Sequence, residues 1–228
     1  MKPYLIAELC CNWRDLNELA AMVELAKRCG ADAVKVQVFR TEHIADHPRA
    51  PELQQRILTE REIERIQAVA GACQLDFIAT PFYPECVPWL AGYVDAFKVR
   101  FADRNNPHLH QVLSTLDIPW IVSVTHPRGT CFQRRDSRDH FVYVVPEYPP
   151  AAFKMPAAFR SYSGWSNHYP SIVPPILAAE RGAQVIEMHV QLVAYPEPDG
   201  TFWLPFDKDV SLTFSEFKDV AEWVEKLR

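Results

Sequence analysis

In the run AVKVQVF (33–39), valines alternate with Lys35 and Gln37. This period-2 pattern is that of a β-strand and sets both polar residues on one face. The same parity groups Glu8 in IAEL, Lys98 and Arg100 in FKVR, Ser166 and His168 in WSNH, and Glu187 and His189 in IEMH. Unpaired charge turned into a protein interior costs several kcal/mol or is neutralised. Two carboxylates, three cations and two imidazoles therefore require partners, and a metal ion with an anionic ligand suits them. Two imidazoles at neighbouring strand ends can share a divalent ion. Lys35 can instead close a structural ion pair with Glu8, and Lys98 or Lys35 can serve as the nucleophile of a Schiff-base aldolase. Arg100 suits a structural part as well as a functional one. His43, His47, His108, His110, His126 and His140 stand alone and are read as core or surface residues.

The elements that must position these groups alternate along the chain. Strands are expected at 4–9, 33–39, 76–82, 96–100, 120–124, 141–148, 162–168 and 184–190. Helices are expected at 16–29, ending at Gly30, and at 59–73, where Thr59 and Glu62 have capping-box spacing. Others are read near 85–91, 108–116, 170–182 and 213–228, with a weak helical stretch after 148. The polar run RGTCFQRRDSRD (128–139) is no convincing helix. Eight such units imply parallel strands with helical crossovers in an α/β fold, a trimmed single-domain (β/α)8 TIM barrel over 1–228. An open doubly wound sheet is the competing plan, but no Gly-rich phosphate loop follows the first strand. In a barrel both strand faces are covered, so the polar face looks into the lumen. Active sites are built there, at the C-terminal strand ends.

Composition narrows the classes. The 228 residues are 48% hydrophobic, enough for one substantial core. A formal net charge of −5 leaves no basic footprint for nucleic acid. No apolar run reaches the length of about 18 residues that marks a membrane span, and the N-terminus has no secretion signal. The six cysteines form no CxxC pair, which fits reduced thiols in a cytoplasm.

The residues, in order, resemble the sialic acid (N-acetylneuraminate) synthase family, which joins phosphoenolpyruvate to N-acetylmannosamine or related sugars. IAELCCNW is similar to its IAE-G-NHNG, GADAVKVQVF to GADAVKFQ-F, and ATPFYPECVPWL to STPFD---V--L. AFKVRFADRNNPHL, PEYPPA, YSGWSNHYPSIVPPILAAERGAQVIEMHV and DKDVSL continue the series in family order. The resemblance implies that His168 and His189 hold a divalent metal, Mn2+ or else Mg2+ or Co2+. It implies that Lys35, Lys98, Ser123 and Ser166 hold the phosphate and carboxylate of phosphoenolpyruvate. Glu8 would lie near the reacting enol, with Asp103 as an acidic residue close by. Lys98 and these two carboxylates form the implied catalytic set. Gln37 and Tyr148 would contact the sugar, and Asp207 its hydroxyls. The implied reaction is a metal-assisted condensation with a sugar aldehyde that yields a 2-keto-3-deoxy sugar acid and phosphate.

The chain departs from the pattern at several positions, most of all at the sugar end. Phe101 stands where the family's phosphate-binding serine is expected, Pro146 replaces a polar residue, and Asn167 replaces an aspartate. Relatives carry a small C-terminal antifreeze-like domain that caps the partner's site in a dimer. This chain is expected to lack it and to work as a homodimer or with a separate capping chain. A non-catalytic or partner-dependent barrel that binds a sugar acid is the alternative from another class.

Overall fold

The computed structural model describes residues 2–152, 154–196 and 202–227. All eight expected strands form: β1 (Tyr4–Glu8), β2 (Ala33–Val38), β3 (Asp76–Pro81), β4 (Ala96–Val99), β5 (Trp120–Val124), β6 (His140–Val144), β7 (Gly164–Asn167) and β8 (Val185–Gln191). They follow chain order around one parallel sheet, and β8 pairs back onto β1 to close it. The fold is a (β/α)8 barrel. Closure leaves the eight barrel strands without a free edge, and both faces of each are covered.

The period-2 pattern divides the side chains as read. Residues such as Ala7, Val34, Val36, Phe97, Val122, Trp165 and Met188 point outward into the core between barrel and helices. Ile6, Ala33, Ile78, Ile121, Val142 and Val185 point inward and plug the barrel's N-terminal half. Two residues further along, the lumen turns polar on most strands, with Glu8, Lys35, Lys98, Ser123, Ser166 and Glu187 all buried, whereas β6 contributes the apolar Val144. The apolar plug keeps water from reaching this layer from below, so the layer opens toward the C-terminal strand ends.

The outer ring is formed by α1 (Leu16–Arg28), α2 (Ala50–Gln54), α3 (Glu60–Ala72), α4 (Val87–Leu90), α5 (Pro107–Leu113), α6 (Val173–Glu180) and α7 (Phe214–Glu225). Asp15 caps α1, and the chain leaves it through Gly30 at φ 89°, a conformation glycine adopts without penalty. The expected capping box at Thr59 and Glu62 is present on α3, and Thr213 with Glu216 makes another on α7. Beyond β8 lie two short strands, β9 (Tyr195–Pro196) and β10 (Phe202–Trp203), which pair with each other. A further strand, β11 (Leu212–Thr213), pairs with β8. No helix among the described residues is long and apolar enough to cross a membrane.

Several expected boundaries shift. β6 stops at Val144 rather than 148, just before Pro146, which has no N–H for the ladder. β7 starts at Gly164 and ends at Asn167, so His168 lies one residue past the strand. The weak helix after 148 does not form among the described residues, because Pro149, Pro150 and Pro156 remove donors a helix needs. The run 128–139 is loop, as read, and covers the barrel in a helix's place. Its Phe132 packs edge-on against Trp120 at 5.4 Å, and Arg135 lies 3.7 Å above the same indole. The last helix ends at Glu225, and Arg228 lies outside the described residues.

Candidate active site

β1, β2, β4, β5, β7 and β8 bring the polar layer together. Register places Glu8 opposite Lys35 on one side and His189 on the other. The Lys35 ammonium lies 2.5 Å from Glu8 Oε2 and 3.2 Å from Glu187 Oε1. Lys98 Nζ donates to Ser123 Oγ at 2.8 Å and to Glu187 Oε1 at 3.2 Å. Ser166 Oγ donates to the same Glu187 oxygen at 2.9 Å. Glu187 is therefore the hub on which both lysines converge. Its approach to Ser166 depends on Gly164, where a Cβ would sit 1.8 Å from the Val185 carbonyl oxygen.

The energetics of this layer are uneven. Burial works against the charged form of Glu187, yet the ammoniums of Lys35 and Lys98 outweigh it and hold the carboxyl below its ordinary range. Burial, with Lys98 adding repulsion, pushes Lys35 down to about 7 despite the pull of Glu187. Lys35 contacts two carboxylates, Glu8 and Glu187, but the Glu187 oxygen is shared with Lys98 and Ser166. An anionic ligand arriving from above would add negative charge beside both ammoniums.

Over this layer lies a cavity of about 450 Å3. Of the residues singled out from sequence, Lys35, Gln37, Lys98, Ser123, Tyr148, His168, His189 and Asp207 line it. Glu8 and Ser166, 0% and 1% exposed, lie beneath, behind Lys35 and Glu187. Asp103 does not line the cavity; it is ion-paired with Arg100, which does and whose guanidinium covers the Phe82 ring at 3.6 Å. Phe101 lines the cavity where the resemblance calls for a serine, and Ser123 is the lining hydroxyl that Lys98 bonds. Asn167 is buried and its amide pairs with the backbone of Tyr169, closing the turn after β7.

The imidazoles of His168 and His189 lie edge-to-face with centroids 5.1 Å apart. Burial, reinforced by nearby lysines, lowers His168 to about 4. Burial, His168 and Lys35 hold His189 well below its usual range. Both rings are thus neutral near pH 7, the form in which imidazole ligates a metal. Asp207 Oδ1 accepts from the Tyr148 hydroxyl at 2.7 Å. His168 Nδ1, His189 Nδ1 and Asp207 Oδ2 are buried with no hydrogen-bond partner. Buried polar atoms are rarely left so, and this set of nitrogen and oxygen donors fits a divalent ion.

Three features escape sequence reading. Glu187 is legible as an inward residue, but its part as the lysines' common acceptor is a matter of distance. Cys10 lies beyond the end of β1, where strand parity says nothing, yet its thiol enters the cavity beside His189 and Asp207. His43 and His47, read as isolated, also line the cavity, placed there by the loop after β2.

Fold and site together define a TIM barrel whose polar centre sits at the C-terminal ends of its strands. The chain belongs to the NeuB family, whose model matches residues 22–126 and 151–228. It is 27% identical over 197 positions to an uncharacterized protein of Methanocaldococcus jannaschii, covering 78% of this chain and 58% of that one. It is 25% identical over 263 aligned positions to a pseudaminic acid synthase of Campylobacter jejuni, covering 99% of this chain and 74% of that enzyme. The fold is shared with an N-acetylneuraminic acid (sialic acid) synthetase from Leptospira borgpetersenii, solved in complex with citrate. That likeness has a TM-score of 0.80 at 21% identity over 100% of this chain and 84% of the other.

Proposed function

We propose that this barrel condenses phosphoenolpyruvate with the aldehyde of an open-chain sugar, giving a 2-keto-3-deoxy sugar acid and inorganic phosphate. One observation carries the reading: Lys35 and Lys98 converge with Ser123 in the same cavity as the neutral pair His168 and His189. Two ammoniums and a hydroxyl suit a compact multiply charged anion, and neutral imidazoles suit a divalent cation. Family membership and the named synthase among its relatives point the same way.

Lys35, Lys98 and Ser123 bind the phosphate and carboxylate, and Ser166 acts through Glu187 by fixing its carboxylate. His168 and His189 are the proposed metal ligands, with Asp207 beside them. A divalent ion held by these residues would supply Lewis-acid polarisation of the aldehyde carbonyl. C3 of phosphoenolpyruvate then forms a bond to the aldehyde carbon, whose oxygen takes up a proton. Water adds at C2 and loses a proton, and the C2–O bond to phosphate breaks as the keto group forms. Glu8 reaches this chemistry through Lys35 and Asp103 through Arg100, so their proposed part in proton movement runs through those partners. Tyr148, Gln37 and Asp207 face the sugar. The protein's main contributions are positioning and fixed charge.

The low pKa of Lys35, about 7, favours a second reading, that of a Schiff-base aldolase with Lys35 as nucleophile. Borohydride trapping separates the two. A condensing synthase releases phosphate and traps nothing, whereas an aldolase forms a reduced adduct at Lys35. Phosphoenolpyruvate binding without turnover across a panel of aldoses and N-acylated hexosamines would instead mark a binding barrel.

A further inference from the structure

We propose that Cys10 is a metal ligand, and that Cys10, His189 and Asp207 form a mixed thiolate–imidazole–carboxylate centre that prefers Zn2+ or Co2+ to Mn2+. This rests on the reading above that a divalent ion belongs at this end of the barrel. Donor atoms of the three residues lie within 4.8 Å of one another, all in buried side chains. Two of those side chains carry atoms with no partner, His189 Nδ1 and Asp207 Oδ2, which stand 3.9 Å apart. An ion between them would give both a partner, and with the His168 imidazole proposed above it would have four protein donors, a set that can expand to a fifth position for a substrate oxygen.

The backbone around Cys10 supports a purpose for its side chain. Cys10 has φ 43°, a left-handed conformation that disfavours any residue with a Cβ by about 1 kcal/mol relative to glycine. The peptide is held there from both sides: its N–H donates to Glu8 Oε1 at 2.7 Å, and its carbonyl accepts from Trp13 Nε1 at 2.9 Å. Gln37 Nε2 donates to Cys10 Sγ at 3.0 Å. An amide N–H aimed at sulfur stabilises the negative charge a thiolate ligand carries, and Tyr148 does the same for Asp207. On metal binding the thiol proton leaves to solvent and the sulfur–metal bond takes its place. A sulfur donor shifts preference from oxygen-seeking ions toward thiophilic ones.

The test uses the full chain stripped of metal and titrated with Co2+. A near-ultraviolet thiolate-to-cobalt charge-transfer band is expected in the wild type. The band should vanish in Cys10→Ser and Cys10→Gly and persist in Cys11→Ser. Glycine suits φ 43°, so Cys10→Gly should keep the wild-type circular dichroism and melting temperature. Zn2+ affinity should fall at least about 100-fold in Cys10→Ser while Mn2+ affinity changes less than about 10-fold. If both Cys10 variants fail to fold, X-ray absorption of the wild-type zinc form decides, with one sulfur at about 2.3 Å expected and none contradicting. A cobalt spectrum without the charge-transfer band, or one that survives Cys10→Ser, overturns the proposal. Phosphate release with Mn2+ would still stand in that case, so the two failures are separable. Absence of any divalent binding overturns both.

Discussion

Raising the pH from 7 to 9 should weaken phosphoenolpyruvate binding by titrating Lys35. In the free site Lys35 loses its proton near pH 7, because burial and Lys98 oppose its charge. A ligand that needs the ammonium binds only the protonated fraction, which is about one half at pH 7 and about 1% at pH 9. The apparent Kd should therefore rise about 50-fold over this range and approach tenfold per unit at its top. Four groups beside Lys35, namely His168, His189, Tyr148 and Cys10, do not reproduce the trend. His168 and His189 are neutral throughout, and Tyr148 and Cys10, raised by their surroundings, keep their protons. The phosphate's second ionisation, at about 6, is nearly complete by pH 7 and acts in the opposite sense. Calorimetry in two buffers of different ionisation enthalpy, with metal chelated, measures the proton uptake directly. About half a proton per ligand is expected at pH 7 and nearly one at pH 8.5. Lys35→Met should bind far more weakly and with no pH dependence between 7 and 9. A flat Kd in the wild type, or binding without proton uptake, refutes the link between Lys35 and the anion.

Glu187→Gln leaves two buried ammoniums without their common carboxylate and should lower unfolding free energy by about 3–5 kcal/mol, read by urea denaturation. Gly164→Ala drives a Cβ into the Val185 carbonyl and should cost about 1–3 kcal/mol or more. Because it also parts Ser166 from Glu187, phosphoenolpyruvate affinity should fall with it, whereas a purely peripheral clash would leave affinity unchanged. Thr59→Ala removes a helix cap on the outer ring and should cost about 1 kcal/mol in the same denaturation assay, with affinity unaltered.

Strand parity carried most of the fold and the floor of the site. Where a strand is covered on both faces, alternation sorts lumen from mantle, so Glu8, Lys35, Lys98, Ser166 and Glu187 were legible as one inward set. Parity does not give depth. It could not tell that Glu187 would serve both lysines, or that Glu8 and Ser166 would sit below the cavity surface. The site's upper half was less legible because it is built from loops. Tyr148, Asp207 and Asp103 entered through family resemblance rather than pattern, and Asp103 turned to Arg100 instead of the cavity. Cys10, His43 and His47 follow strand ends, where backbone turns set direction and no periodicity exists to read. The failed helix after 148 had its signal in its prolines, which outweigh an intermittent apolar pattern.

The most direct measurement of the central claim is phosphate release from phosphoenolpyruvate by the purified chain, with and without a divalent ion, across aldoses and N-acylated hexosamines. The expected result is release that requires an aldehyde and a divalent ion together, falls to background on chelation, and is abolished in Lys98→Met and His189→Ala. Release that survives chelation, or that proceeds without any aldehyde, would contradict it.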